Sequence, residues 1–179
     1  MPVVLFDLPG HGNSGGTAGY TFEVADAIQL VANGLGPIDS IVSHSFGSGS
    51  AAVIQTEGLQ VDRTVFISTP FGRGDRWVRV ALEHGYTEDD AHRARARYMA
   101  RFSEFRATYD WWAEVPRLDT DLLFVHSTAD ERAPIKDVRD VVATCPRAAL
   151  VEVDGLDHRG VARDPRALDQ VVAHLRARS

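Results

Sequence analysis

The sequence predicts an α/β fold, a three-layer sandwich in which helices cover both faces of a mostly parallel sheet. Short apolar or β-branched runs recur along the chain, in the segments 3–6, 40–44, 64–67, 122–125 and 150–153. Such runs are typical of strands that are buried on both faces. Helix-compatible segments separate most of them, and strands that alternate with helices indicate crossover connections and a parallel sheet.

Composition restricts the classes of protein to which the chain can belong. It has 179 residues, 44% of them hydrophobic, and a formal net charge of −6, so one sizeable core is expected and a nucleic-acid partner is not. We expect neither a membrane span nor a secretory leader, because no long apolar run and no leader pattern is present. The single cysteine, Cys145, is expected to be structural and suits a reducing compartment, so the predicted location is cytoplasmic.

Boundary signals place the helices between the apolar runs. Thr21 is a suitable N-cap for a helix that ends before Gly34. Thr87, followed by three acidic residues, predicts another helix start. A helix is also predicted over residues 135–143, and Asp164 with the following proline opens the last one.

A stretch of helices alone interrupts the alternation of strands and helices. It covers residues 71–118, after which an apolar strand resumes. We therefore predict a core made of residues 1–70 and 119–179, with a helical cap insertion between them. Trp111 and Trp112 lie near the end of the insertion and are candidate substrate-binding residues, although packing in the core explains them equally well.

The run at residues 40–44 ends at a serine that small residues surround. Gly47 follows Ser45 by two positions, as in a G-x-S-x-G elbow, while Ser43 occupies the position where a glycine is usual. In such an elbow a strained backbone lifts the hydroxyl clear of the sheet, and the amides of the next helix face it. Ser45 is therefore a candidate nucleophile. If these residues are considered alone, a Ser/Gly-rich linker explains them equally well.

Suitable partners for a nucleophilic serine follow the last two predicted strands. A serine hydroxyl requires an imidazole that accepts its proton and a carboxylate that orients the imidazole. Functional groups gather in loops at the carboxyl ends of parallel strands. One such loop contains Asp130, with Glu131 as a rival acid, and the next contains His158, with Asp157 as a second rival. We predict a triad of Ser45, Asp130 and His158.

Other chemistries lack their motifs. The sequence has no H-E-x-x-H helix, no Cys and His set with zinc spacing and no G-x-x-x-x-G-K-[ST] phosphate loop. We therefore expect no metal and no cofactor. His44, beside the candidate nucleophile, and His126, at a strand end, are expected to be structural.

Four motifs in this order resemble those of the α/β-hydrolase-fold family. Residues 7–14 resemble its D-x-P-G-x-G-x-S turn, residues 43–47 its elbow, residues 126–130 its acid loop and residues 156–158 its histidine loop. The resemblance covers essentially the whole chain. It implies an α/β-hydrolase fold with a variable helical cap and the triad named above.

The chain departs from the family pattern at its amino-terminal end. The family takes one oxyanion amide from the residue after the nucleophile, here Phe46, and a second from a loop that follows an earlier strand. That loop and the family's first strands have no counterpart in this sequence. We therefore expect a truncated form of a longer hydrolase, in which the run at residues 3–6 pairs directly with the strand at residues 40–44.

The predicted function is that of a serine hydrolase of the esterase or thioesterase type. It would cleave a small, largely apolar ester through an acyl-enzyme. The alternative is an inactive fragment or a ligand-binding relative that retains the triad without turnover. Acyltransferase, lyase and peroxidase chemistry use similar triads and stay open, as does the formation of a homo-oligomer.

Overall fold

The computed structural model describes residues 2–17, 19–72 and 76–177 and is built around one parallel sheet. Within these ranges four strands lie side by side in chain order. They are β1 (Ser40–His44), β2 (Arg63–Ile67), β3 (Asp121–Ser127) and β4 (Ala148–Val153). The predicted α/β fold with a parallel sheet is confirmed.

Helices connect and cover the strands. They are α1 (Thr21–Leu35), α2 (Phe46–Thr56), α3 (Arg76–Glu83), α4 (Glu88–Met99), α5 (Glu104–Ala107), α6 (Trp111–Glu114), α7 (Ile135–Val142) and α8 (Pro165–Arg176). Thr87 and Asp164 accept backbone amides as N-caps, as predicted. The N-cap of α1 is Tyr20 rather than Thr21, and the Glu23 carboxylate accepts the Tyr20 amide. No helix in the described part of the chain is both long and apolar enough to cross a membrane.

The core lies on both faces of the sheet because successive strand residues point to opposite sides. Phe66 of β2 and its register partner Phe124 of β3 face the side that α2 and α7 cover. Val65 and Val125 face the other side, where residues of α8 pack on them. All four side chains are fully buried.

Helices α3–α6 lie between β2 and β3, in the stretch predicted as a helical cap, whose residues 73–75 fall outside the described ranges. Tyr98 of this segment joins Phe22 of α1 in a third apolar cluster. Arg106 forms ion pairs with Glu57, at 2.6 Å, and with Asp26 of α1, at 2.7 Å. The segment is therefore attached to the helices on the α2 side of the sheet.

The predicted strand at residues 3–6 is wrong. This run joins no strand ladder, and Val3 and Leu5 are 72% and 90% exposed. Among the described residues β1 pairs with β2 alone, so the predicted pairing of residues 3–6 with β1 is also wrong. A strand needs a neighbour that bonds its backbone and a surface that covers its side chains. Val42 of β1 is itself 48% exposed, so this edge of the sheet offers the run little cover.

Candidate active site

Ser45 occupies a strained turn between β1 and α2. Its backbone has φ 52° and ψ −119°, a left-handed region that residues other than glycine rarely adopt. Two hydrogen bonds hold this conformation: the Ser45 amide donates to the Ile67 carbonyl of β2 at 2.8 Å, and the Ser48 amide donates to the Ser45 carbonyl at 3.0 Å. The surrounding backbone therefore fixes the strain that lifts the hydroxyl off the sheet.

Ser43, which replaces the usual glycine of the elbow, is bonded into the turn. Its hydroxyl lies 3.3 Å from the Val65 carbonyl and 3.3 Å from the hydroxyl of Ser48 in α2. The Thr69 hydroxyl donates to the same Ser48 oxygen at 3.0 Å. A hydroxyl at position 43 thus ties the strand to the helix behind Ser45.

Gly47 is not required for steric reasons. A Cβ atom at this position would meet only the Ser43 Cβ, at an ordinary 3.8 Å, whereas a Cβ at Gly49 would lie 3.3 Å from Nε1 of Trp111. Both glycines are in α2, so alanine adds the same helix propensity, up to about 1 kcal/mol, at each. We expect Gly47→Ala to raise the melting temperature and to be more stable than Gly49→Ala. Equal melting temperatures for the two variants would show that Trp111 moves away from a Cβ at position 49 without loss of stability.

Ser45, His158 and Asp130 lie in one hydrogen-bonded chain. Ser45 Oγ is 2.7 Å from Nε2 of His158, and Nδ1 of His158 is 2.8 Å from Oδ2 of Asp130. A carboxylate only accepts hydrogen bonds, so Nδ1 carries the proton and the neutral ring offers the Nε2 lone pair to the serine. The arrangement can therefore take the proton of the Ser45 hydroxyl and stabilise the resulting imidazolium.

The acid loop holds the Asp130 carboxylate rigidly. The side chain is fully buried, and its Oδ1 accepts the amides of Arg132 and Ala133, each at 3.0 Å. His126, 1% exposed, donates from Nε2 to the Ala133 carbonyl at 2.7 Å and closes the loop. Oδ2 is bonded by Nδ1 of His158 at 2.8 Å, and Nε2 of His126 lies 3.5 Å from the same oxygen. The two rival acids, Glu131 and Asp157, are both exposed, and the Asp157 carboxylate accepts the Gly160 amide.

His126 is expected to make the fold sensitive to acid. Burial lowers the pKa of this imidazole, an effect larger than the opposing ones of the Ala133 carbonyl and of Asp130. The unfolded chain takes up a proton at about pH 6.5, before the folded state does, so stability falls as the pH drops below that value. Between pH 7.5 and 5.5 we expect the wild-type melting temperature to fall by about 2–4 °C more than that of His126→Gln. Gln can still donate to the Ala133 carbonyl, so equal losses would contradict this assignment.

Two further contacts near the triad could not be predicted from the sequence. The hydroxyl of Ser127, at the end of β3, donates to the Leu156 carbonyl at 2.6 Å and ties the acid loop to the histidine loop. Nε2 of His44 lies 2.9 Å from the His158 carbonyl. Both partners are backbone atoms distant in sequence, so the available signal is the position of each residue at the end of a strand.

The other candidate residues surround α2. Phe46 is the first residue of this helix, so its amide is among those without a carbonyl partner one turn earlier. Trp111 packs close to Gly49, one turn along the helix from Ser45, and Trp112 packs against the core cluster beneath α6. Both tryptophans are partly buried. Burial raises the pKa of the Cys145 thiol, as fits a structural cysteine.

Two openings in the surface differ in their distance from the triad. A cavity of about 230 Å³ is lined by the end of α2 and by residues just before β3, including Gln55 and Asp119. It therefore lies at the amino ends of the strands, away from Ser45. A smaller cleft is lined by residues that follow β2 and β3, among them Pro70 and Arg132, and so it adjoins the acid loop.

Comparison with known proteins gives the family. The sequence profile described as "Alpha/beta hydrolase family" matches residues 2–173. The chain belongs to the alpha/beta hydrolase family. A search of curated proteins found no significant match.

Solved hydrolase structures share the fold. The chain superposes on a hydrolase from Pseudomonas aeruginosa with a TM-score of 0.70 at 17% identity, over 96% of this chain and 78% of that one. For an alpha/beta hydrolase enzyme from a Medee basin deep-sea metagenome library the TM-score is 0.68 at 16% identity, over 97% of this chain and 78% of that one. For the Paleococcus ferrophilus monoacylglycerol lipase the TM-score is 0.66 at 19% identity, over 95% of this chain and 80% of that one. These likenesses extend the family assignment to the three-dimensional fold.

Proposed function

We propose that this member of the alpha/beta hydrolase family is a serine hydrolase that cleaves carboxylic esters through an acyl-enzyme. The observation that carries the proposal is the unbroken chain from Ser45 Oγ through His158 to Asp130, with bonds of 2.7 and 2.8 Å. A strained nucleophile, a base in the correct tautomer and a buried carboxylate are the parts that acyl transfer to serine requires.

Each residue has one role in the reaction. His158 takes the hydroxyl proton as Ser45 Oγ attacks the ester carbonyl carbon, and the carbonyl electron pair moves to the oxygen. The Phe46 amide donates to that oxyanion. His158 then gives its proton to the departing alkoxide, the C–O bond breaks, and the acyl group stays on Ser45. Water, activated by the same imidazole, releases the acid and restores the serine.

The substrate class we propose is a small, largely apolar ester. Trp111 supports it, because its ring lies against Gly49, four residues from Ser45 and on the same side of α2. Trp112 adds apolar surface to the adjoining segment. An apolar acyl or alcohol group could be buried there, while a charged group would lose its hydration. Helices α3–α6 would then act as the cap that selects the substrate.

The test is hydrolysis of short-chain p-nitrophenyl esters by the wild-type chain and by Ser45→Ala. We expect turnover that falls at least about a thousandfold in the variant, because the acyl-enzyme cannot form. Ser68→Ala is a matched control, since Ser68 also ends a strand with positive φ (49°) but its hydroxyl is fully buried. Turnover that survives Ser45→Ala would refute the proposal.

The second candidate function is ligand binding without turnover. The elbow itself supplies one oxyanion donor, the Phe46 amide. Loss of one donor from an oxyanion hole lowers kcat by about a hundred to a thousandfold. A chain that binds esters but hydrolyses none, and whose Ser45 does not react with a fluorophosphonate, would fit this function instead. Fluorophosphonates react with an activated serine, so their reaction separates the two candidates.

A further inference from the structure

We propose that His44 is a positioning residue for the base, which it holds by a hydrogen bond from its ring to the backbone of His158. The inference rests on the proposed function, and it assigns a role to the residue that precedes the nucleophile. His44 Nε2 and the His158 carbonyl oxygen are 2.9 Å apart. Because a carbonyl only accepts, Nε2 carries the proton and donates it.

The strand end holds His158 at two points. His44 bonds its backbone, and the next residue, Ser45, bonds Nε2 of its ring at 2.7 Å. The bond to His44 thus fixes the backbone from which the imidazole extends toward Ser45.

The loop that carries His158 depends on such side-chain contacts. It follows β4 and is held to the acid loop at Leu156, whose carbonyl accepts the Ser127 hydroxyl at 2.6 Å, and at Asp154, which accepts the Thr128 hydroxyl at 2.7 Å. Those contacts lie before His158 in the chain and come from the last residue of β3 and the residue after it. His44 therefore links the loop directly to the strand that carries the nucleophile.

The rings of His44 and His158 also pack together. Their centroids are 5.3 Å apart with an interplanar angle of 52°. An aromatic ring without a donor would keep this packing and lose the hydrogen bond. His44→Phe is therefore the variant that isolates the bond, and His44→Gln restores a donor at the reach of Nε2.

The experiment measures the rate at which a fluorophosphonate labels the chain, together with kcat and KM for p-nitrophenyl acetate. We expect His44→Phe to lower the labelling rate and kcat about tenfold at unchanged KM, because a small displacement of a base costs about that much or more. We expect His44→Gln to recover most of the loss. His174→Phe is the matched control, since His174 bonds the Asp121 carbonyl at 3.1 Å at the far end of β3, and it should react within twofold of wild type.

The outcomes separate this inference from the proposed function. A wild-type chain that does not react overturns both. If the wild-type chain reacts and His44→Phe reacts equally fast, or if His44→Gln is as slow as His44→Phe, the inference alone fails. If His44→Phe does not fold, the comparison of His44→Gln with His44→Asn replaces it. Both side chains are amides, but only that of Gln is long enough to reach the His158 carbonyl. Equal labelling rates for these two variants would overturn the positioning role.

Discussion

Asp130→Asn is expected to lower ester hydrolysis by about ten-thousandfold, because it places His158 in the wrong tautomer. The Oδ1 position accepts two backbone amides, from Arg132 and Ala133, so the carbonyl oxygen of the new side chain must stay there. Its amide group then faces Nδ1 of His158, which can only accept from it. The ring proton moves to Nε2, and the base can no longer take a proton from Ser45.

Steady-state kinetics of purified Asp130→Asn against wild type measure this loss. Asp157→Asn is the matched control, since Asp157 lies in the histidine loop but is exposed and accepts the Gly160 amide of its own loop. We expect its kcat to stay within twofold of wild type. A large loss in Asp157→Asn with little loss in Asp130→Asn would reverse the assignment of the acid.

Phe124→Ala is expected to have a large effect on stability, about 3–5 kcal/mol. Phe124 is fully buried in β3, and its ring packs edge-on against Phe66 and Phe71 at centroid distances of 5.3 and 6.5 Å. Truncation would leave a cavity between the sheet and the helices that cover this face. For a chain of this size the loss corresponds to a fall of roughly 10 °C in melting temperature.

Phe6→Ala is the control for this prediction, and it also tests the correction at residues 3–6. Phe6 is 41% exposed and belongs to no strand, so its removal is expected to change the free energy of unfolding by less than about 0.5 kcal/mol. Chemical unfolding of both variants compares them directly. A cost at Phe6 as large as that at Phe124 would show that the amino-terminal run is packed after all.

The sequence predicted the sheet well where strands are buried on both faces. The runs at β2 and β3 consist mainly of apolar residues because helices cover them from two sides, so the pattern reflects the tertiary environment. The run at residues 3–6 has the same pattern in an exposed segment. It forms no strand because no adjacent strand in the described part of the chain pairs with it, and a local sequence pattern contains no information about adjacent strands.

The candidate site was predictable as far as strand order allows. Ser45, Asp130 and His158 each follow a different strand of one parallel sheet, and the topology brings those strand ends to the same edge. The bonds from His44 and Ser127 were not predictable, because they end on backbone carbonyls far along the chain. Any residue type has such a carbonyl, so the sequence gives no sign of the partner.

Whether Ser45 is activated is best tested by locating the adduct that forms after treatment with a fluorophosphonate. Intact-mass analysis gives the number of adducts, and peptide mapping by mass spectrometry gives the residue. We expect one phosphonyl group, on Ser45, none in Ser45→Ala and almost none in Asp130→Asn. An unlabelled wild-type chain, or an adduct on any other residue, would show that Ser45 is not activated.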